Sequence, residues 1–404
     1  MASLKINGLN KVFPSGETAL YDVNLEAADK EFLVFLGGDN SGKSTLLRIV
    51  AGLDDASSGT VEINGKDMTD VEPKNRDIAM VFKNNTLYPA LNVFDNMAFG
   101  LRLRKAPEAL VRERVKVAAE ILGLNDSLYR KPKVLTAAAK QRVAIGRAIV
   151  REPKLYLFDE PLSGLDEKLR LDMLNVIINL QARLGGTFVY ATKNLSEALT
   201  IGTRVVVLKD GFVQQIDTPA NLYDYPANTY VAFAIGAPTV NIIKKVKIIS
   251  ADGGYCATFN GGEFRLPENI VSRFKNIADY ADKDKYVTLG IRPEDAEISQ
   301  EGQLKGKVSA VSGEEEKYAE CDVNPDICLN VSTASDVEKG KEVNVFVDVA
   351  RLYIFDAVTC LALLERDEGY TQTGLRDADF RPLPYDEEQI IKENSKPKKQ
   401  QKKK

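Results

Sequence analysis

The chain has 404 residues, 44% hydrophobic and 28% charged, with a formal net charge of −4. That length exceeds one hydrophobic core, so about two to three domains are expected, with the composition of an ordinary globular protein. No apolar run approaches the roughly 20 residues that cross a bilayer, so direct membrane insertion is not expected, and the mild negative charge gives no general case for nucleic-acid binding.

From the start, Met1-Ala2-Ser3-Leu4-Lys5-Ile6 runs straight into strand-like sequence without a signal-peptide pattern, which predicts a cytoplasmic protein. Residues 1–235 alternate strand and helix signals. Strands are expected at 4–6, 32–36, 60–63, 78–82, 155–158, 187–191 and 204–209, and helices at 44–50, 107–122, 137–150, 166–184 and 195–202. A last helix is expected from 222 to about 233, before a break at Ile235-Gly236-Ala237-Pro238. The first domain therefore reads as α/β. Residues 236–365 carry short strand signals at 246–250, 255–259, 286–291, 303–311, 327–331 and 342–349, the pattern of a small barrel or sandwich. Residues 366–404 are polar and end in a Lys-rich run, as expected of a solvated tail.

Cys256, Cys321, Cys328 and Cys360 show no C-x-x-C spacing, and the chain contains no histidine. Buried free thiols are expected rather than a zinc site. Any chemistry must proceed without an imidazole.

The strongest motif is Gly37-Gly38-Asp39-Asn40-Ser41-Gly42-Lys43-Ser44-Thr45, between an apolar run and a helical pattern. This is G-x-x-x-x-G-K-S in a strand–loop–helix setting. Its backbone N–H groups and the helix N-terminus suit a nucleotide's phosphate chain, Lys43 the β- and γ-phosphates, and the Ser44 hydroxyl Mg²⁺. About 115 residues on, the run Leu155-Tyr156-Leu157-Phe158 ends in Asp159 and Glu160. Asp159 is placed to hold Mg²⁺ directly or through water, and Glu160 to act as general base toward water.

With Pro161-Leu162-Ser163-Gly164-Leu165-Asp166 following, the chain resembles the ATP-binding subunits of ABC transporters, over residues 1 to about 365. Arg76-Asp77-Ile78-Ala79-Met80-Val81-Phe82, Leu87-Tyr88-Pro89, Asp95-Asn96-Met97-Ala98-Phe99-Gly100-Leu101 and Gln141-Arg142-Val143-Ala144-Ile145-Gly146-Arg147-Ala148 carry that resemblance. Gly290-Ile291-Arg292-Pro293-Glu294-Asp295 is similar to the OB-type regulatory domain of the carbohydrate and glycerol-3-phosphate importer branch. The resemblance implies a P-loop NTPase domain of ABC type at 1–235, a small all-β OB-type regulatory domain at 236–365, and ATP with Mg²⁺ as cofactors. It implies a head-to-tail homodimer, or a heterodimer with a paralogous ATP-binding subunit, beneath membrane permease subunits on the inner face of the plasma membrane. Each ATP would lie between one phosphate loop and the partner's signature loop. Phe13 matches the residue that stacks on adenine, and 83–101 the surface that docks the permease.

Several positions depart from the family pattern. Asp39 and Asn40 replace Ser and Gly in the phosphate loop; Asn tolerates a left-handed backbone, whereas Asp39 sets a carboxylate near an anion. Lys83 stands where a glutamine contacts Mg²⁺ and water, and an ammonium is a poor metal ligand. The signature L-S-G-G-Q becomes Leu135-Thr136-Ala137-Ala138-Ala139. Thr136 can still cap a helix, but Ala137 and Ala138 add Cβ atoms where backbone must approach a γ-phosphate. Lys193 replaces the switch histidine, and Ala90 a histidine frequent in the docking segment. Lys83 and Lys193 affect the site built on this chain's own phosphate loop, and the signature changes affect the other site.

The leading expectation is an importer subunit that binds Mg-ATP and hydrolyses it slowly or not at all. Two alternatives stand beside it. One is a conventional importer ATPase in which Lys83 and Lys193 compensate, and the other a non-hydrolysing regulator acting through the OB-type domain.

Overall fold

The computed structural model describes residues 3–84, 86–313, 317–333 and 337–366. The expected tail thus lies outside the described residues from 367 onward. Two compact units divide between Leu222 and Tyr223, ahead of the break expected at 235.

In chain order the first unit runs β1 (Leu4–Val12), β2 (Thr18–Ala27), β3 (Phe32–Leu36), α1 (Lys43–Val50), β4 (Ser58–Ile63), β5 (Lys66–Asp67), β6 (Ile78–Val81), α2 (Val93–Leu103), α3 (Glu108–Ile121) and α4 (Ala137–Ile149). It continues through β7 (Leu155–Asp159), α5 (Glu167–Leu184), β8 (Thr187–Thr192), α6 (Leu195–Ile201), β9 (Arg204–Lys209) and β10 (Phe212–Asp217), with α7 (Pro219–Asp224) crossing the division.

Strands β3, β7 and β8 are buried at every position. Such runs fit a parallel sheet covered on both faces. They form the middle of a six-stranded sheet in the order β10-β9-β3-β8-β7-β6, parallel from β9 to β6. A separate four-stranded sheet, β2-β1-β4-β5, is antiparallel. Leu33, Phe35, Leu46, Leu47, Val189 and Leu208 share one core.

Strand β2 and helix α2 lie outside the sequence expectations. In β2 the buried residues are Leu20, Val23, Leu25 and Ala27. A register shift between the pairs Leu9↔Val23 and Lys11↔Leu20, with Asp22 at φ 43°, breaks the two-residue period. The single helix expected from 222 is instead two short ones, α7 and α8 (Thr229–Ala234). Pro226 interrupts, and the Asn228 side chain accepts from Val231 N at 2.9 Å to start the second. Helix α8 belongs to the second unit, where its Ala232 packs with Val240 and Phe355.

The second unit is all-β beyond its short helices. Strands β11 (Asn241–Ala251), β12 (Gly254–Phe259), β13 (Gly262–Leu266), β14 (Val287–Ile291) and, at the end, Tyr353–Asp356 form an antiparallel sheet. Strands β15 (Ala296–Ile298), β16 (Leu304–Ser312), β17 (Tyr318–Asn324), β18 (Ile327–Ser332) and β19 (Glu342–Val347) close into a barrel in the order β15-β18-β17-β16-β19. Five strands closed on themselves agree with the OB-type expectation. The four cysteines form no disulfide with one another. Only Cys321 and Cys360 are buried, against the expectation for all four; Cys328 faces outward between the buried Ile327 and Leu329, as strand alternation requires.

Arg292 is buried in this unit, its guanidinium 4.0 Å from the Tyr223 ring centroid. Nη1 donates to Ala232 O at 2.9 Å and Nη2 to Tyr223 O at 3.2 Å. The charge is spread over carbonyls and aromatic faces, which suits the planar fork of arginine. Arg292→Leu is expected to cost the second unit about 3 kcal/mol, because it strips the partner of a buried carbonyl and of the Tyr223 and Tyr353 rings, the latter 5.3 Å from the guanidinium. Urea denaturation of the full chain, followed through the transition of that unit, measures it.

Candidate functional site

Parallel pairing sets where the site forms. Leu36 pairs with Thr192, and Asp159 with Ala191. The residues that follow β3, β8 and β7 therefore leave one edge of the sheet together, and β6, paired with β7 through Val81↔Phe158, brings the following residues to the same edge. Ligands of open parallel sheets bind at such carboxyl ends.

Gly37 opens the phosphate loop. A Cβ there would lie 2.3 Å from the Leu208 carbonyl oxygen and 2.6 Å from Ser41 Oγ. Gly42, at φ 94°, precedes α1 and lies against Ala19 and Leu20 of β2. Asn40 has φ 62°, the left-handed backbone anticipated for it. The Lys43 ammonium is buried and folds back on the loop, donating to Gly37 O at 2.8 Å, Gly38 O at 2.6 Å and Ser41 Oγ at 3.0 Å. Burial pulls its pKa below the ordinary lysine value, opposed by Glu160, Asp39 and Asp159.

The Ser44 hydroxyl donates to Asp159 Oδ1 at 2.7 Å. Burial raises the Asp159 pKa, and this hydrogen bond opposes the rise. The two side chains put hard oxygen donors side by side, the donor type Mg²⁺ takes. Beyond β7 the backbone turns left-handed at Glu160, φ 43°, its N–H donating to Ala191 O at 2.9 Å. A positive φ at a non-glycine residue stores strain that surrounding contacts must hold.

Both unexpected lysines find carboxylates. Lys83 Nζ donates to Glu160 Oε2 at 2.6 Å, with Glu160 buried and Lys83 half exposed. That bond raises the Lys83 pKa above 10.5. Lys193 Nζ lies 3.3 Å from each carboxylate oxygen of Asp39. Asp39, Lys43, Ser44, Lys83, Asp159, Glu160 and Lys193 are thus brought to one edge, with Gly37, Gly38, Asn40, Ser41, Gly42 and Thr45 forming the loop and helix start around them.

Thr136, Ala137 and Ala138 stand apart. Among the described residues, no hydrogen bond or ion pair joins them to the phosphate loop. Thr136 Oγ1 accepts from Ala139 N at 3.2 Å, so the cap of α4 forms as expected. Phe13 sits in the turn between β1 and β2, with Lys11 Nζ 5.5 Å from its ring centroid.

Sequence reading missed Glu197. It is buried and accepts from Tyr190 Oη at 2.9 Å and Thr192 Oγ1 at 2.6 Å, with Arg170 Nε at 3.4 Å. Thr192 Oγ1 accepts from Asn194 N at 3.0 Å, so this network fixes the backbone carrying Lys193. Burial first, then Glu197, raises the Tyr190 pKa. The signal was present: Asn194 followed three residues later by Glu197 is a helix-start pattern, and Asn194 Oδ1 accepts from Glu197 N at 3.1 Å.

A phosphate loop at the end of β3, with a hydroxyl–carboxylate pair beside it, defines a P-loop nucleotide-binding protein. A family profile described as ABC transporter matches residues 20–163. The chain is 43% identical over 369 residues to the oligosaccharides import ATP-binding protein MsmX of Bacillus subtilis, covering 89% of this chain and 99% of that protein. It is 40% identical to the diacetylchitobiose uptake system ATP-binding protein MsiK of Streptomyces coelicolor, covering 89% of this chain and 98% of that one. The solved structure of cbiO1 from Clostridium perfringens matches with a TM-score of 0.52 at 29% identity, covering 55% of this chain and 90% of that one. The chain belongs to the ATP-binding proteins of ABC transporters, a family that binds ATP with Mg²⁺.

The close approach at Gly37 gives a direct test of the loop. Gly37→Ala is expected to destabilise the first unit by more than about 2 kcal/mol and to weaken Mg-ATP binding, because backbone cannot give way to a Cβ as a flexible side chain can. Thermal unfolding with and without Mg-ATP reads both effects.

Proposed function

We propose that this chain is the ATP-binding subunit of an importer for a sugar or oligosaccharide, and that its own site hydrolyses ATP slowly. Relatives named for oligosaccharide import, diacetylchitobiose uptake and uptake of osmoprotective compounds support the substrate class. No helix among the described residues is long and apolar enough to cross a membrane, so the chain would act at the inner face through a permease docked on 83–101. There Tyr88 and Phe99 are exposed. A second copy, or a paralogous subunit, would complete each ATP site. Lys43 and the loop would hold the phosphates, Ser44 and Asp159 the Mg²⁺, Phe13 the adenine, and Thr136 with its neighbours the partner's nucleotide.

The observation that carries slow hydrolysis is the 2.6 Å contact between Lys83 Nζ and Glu160 Oε2. A general base needs a free lone pair directed at the water it deprotonates. Here an ammonium occupies one carboxylate oxygen, and protonating Glu160 means giving up that ion pair. The intact Ser44–Asp159 contact, 2.7 Å, favours the second reading, a conventional ATPase.

Steady-state hydrolysis and Mg-ATP affinity of the full chain separate them. Slow hydrolysis predicts wild-type turnover within about twofold of Glu160→Gln, a rise of about tenfold or more in Lys83→Gln, and binding lost in Lys43→Ala. A conventional ATPase would instead lose about 10²- to 10⁴-fold in Glu160→Gln, the usual worth of a general base, and that result would overturn the proposal.

The pH profile has a definite sign. The hydrogen bond to Glu160 raises the Lys83 pKa above the ordinary lysine value, so the ammonium keeps its charge throughout the neutral and mildly alkaline range. Turnover is therefore expected to stay flat between about pH 6 and pH 9 in wild type, with no rise from pair opening.

A further inference from the structure

Two residues that depart from the family pattern, 154 positions apart, meet in the fold: Lys193 Nζ stands 3.3 Å from both carboxylate oxygens of Asp39. The ends are held differently. Lys193 follows β8, whose last residue accepts from Gly37 N at 3.4 Å through its carbonyl and is anchored through its hydroxyl to Glu197 at 2.6 Å. Asp39 lies in the phosphate loop itself, between Gly38, whose carbonyl Lys43 grips, and the left-handed Asn40. A rigid strand end thus delivers a positive charge onto the one acidic residue of the loop.

The pair adds little to folding stability. Its side chains are 51% and 71% exposed, and ion pairs in solvent are commonly worth about 0–1 kcal/mol. Its consequence lies in its surroundings. A loop built to take a polyanion through backbone N–H groups and one lysine gains a full negative charge at Asp39, and a like charge beside a phosphate chain opposes binding. The Lys193 ammonium cancels that charge within ionic contact. A neutral residue at 193 would leave the carboxylate facing the polyanion alone.

We propose that Asp39 and Lys193 act as one unit in nucleotide binding. Lys193 is a positioning residue that neutralises and holds the Asp39 carboxylate, so that a loop bearing a fixed negative charge still accepts a triphosphate. This rests on ATP binding at the loop and not on the rate of hydrolysis.

A double-mutant cycle read by Mg-ATP affinity of the full chain tests it, with wild type, Lys193→Ala, Asp39→Ser and the double variant. Lys193→Ala is expected to weaken binding about tenfold in the wild-type background, within the coupling range of residues in ionic contact. In the Asp39→Ser background the same change costs less than about twofold, because the charge it answers is gone. Lys193→Arg keeps wild-type affinity. The tenfold loss shrinks as salt is raised from about 0.05 M to 0.5 M, which a purely structural role would not show. Equal losses in both backgrounds, or no loss in either, overturn the proposal. Because hydrolysis is not read, a fast or slow enzyme leaves the outcome unaffected. A wild-type chain that binds no Mg-ATP, or binds it equally after Lys43→Ala, would overturn the nucleotide site and this proposal together.

Discussion

The parallel ladder of β3, β8, β7 and β6 is the constraint on which the rest of the first unit depends. Its register ties Leu36 to Thr192, Phe158 to Tyr190 and Val81 to Phe158. Whatever residues come next in the chain are delivered to one edge. Because β3, β7 and β8 are buried on both faces, the register is held by packing and ladder hydrogen bonds, not by the polar groups beyond the strand ends. Charge at those ends can therefore change without unmaking the sheet. Lys83 and Lys193 are such changes.

What these lysines do follows from where the ladder puts them. Each replaces a neutral group of the family pattern with an ammonium, and each ammonium meets a carboxylate: Glu160 for Lys83, Asp39 for Lys193. The two pairs are not alike. Glu160 is buried on a strained backbone and tied to Ala191, so the flexible Lys83 is the member that comes to it. Asp39 and Lys193 are both largely exposed, and neither is anchored by burial of its own side chain. The first pair bears on the group proposed as general base, and the second on the charge of the loop.

Legibility in the sequence followed the range of the interactions. The phosphate loop, the buried strands and the cap at Thr136 are local, and their residues announce them: an apolar run, a glycine spacing, a hydroxyl before a helix. Asn40 in a left-handed conformation was legible for the same reason. Strand β2 was not, because Asp22 inserts a bulge that shifts the buried set from Leu20 to Val23. Pro226 split a helix that apolar spacing alone would run together. The two lysine–carboxylate pairs span 77 and 154 positions and exist only once the sheet is registered. Read singly, Lys83, Lys193 and Asp39 are three independent losses; the fold makes them partners.

The signature segment follows a different logic. Thr136 caps α4 through Ala139 N, and the alanines that follow favour helix by about 1 kcal/mol each over glycine. Local stability of the helix start therefore rises as the backbone becomes less able to approach a ligand closely. Changes at the sheet edge trade neutral polar groups for paired charge, and changes at the helix start trade open backbone for side-chain volume. Neither kind disturbs the core that sets the fold: the sheet is held by its buried strands and α4 by its own cap, so the chain keeps its architecture while the chemistry at these two places differs.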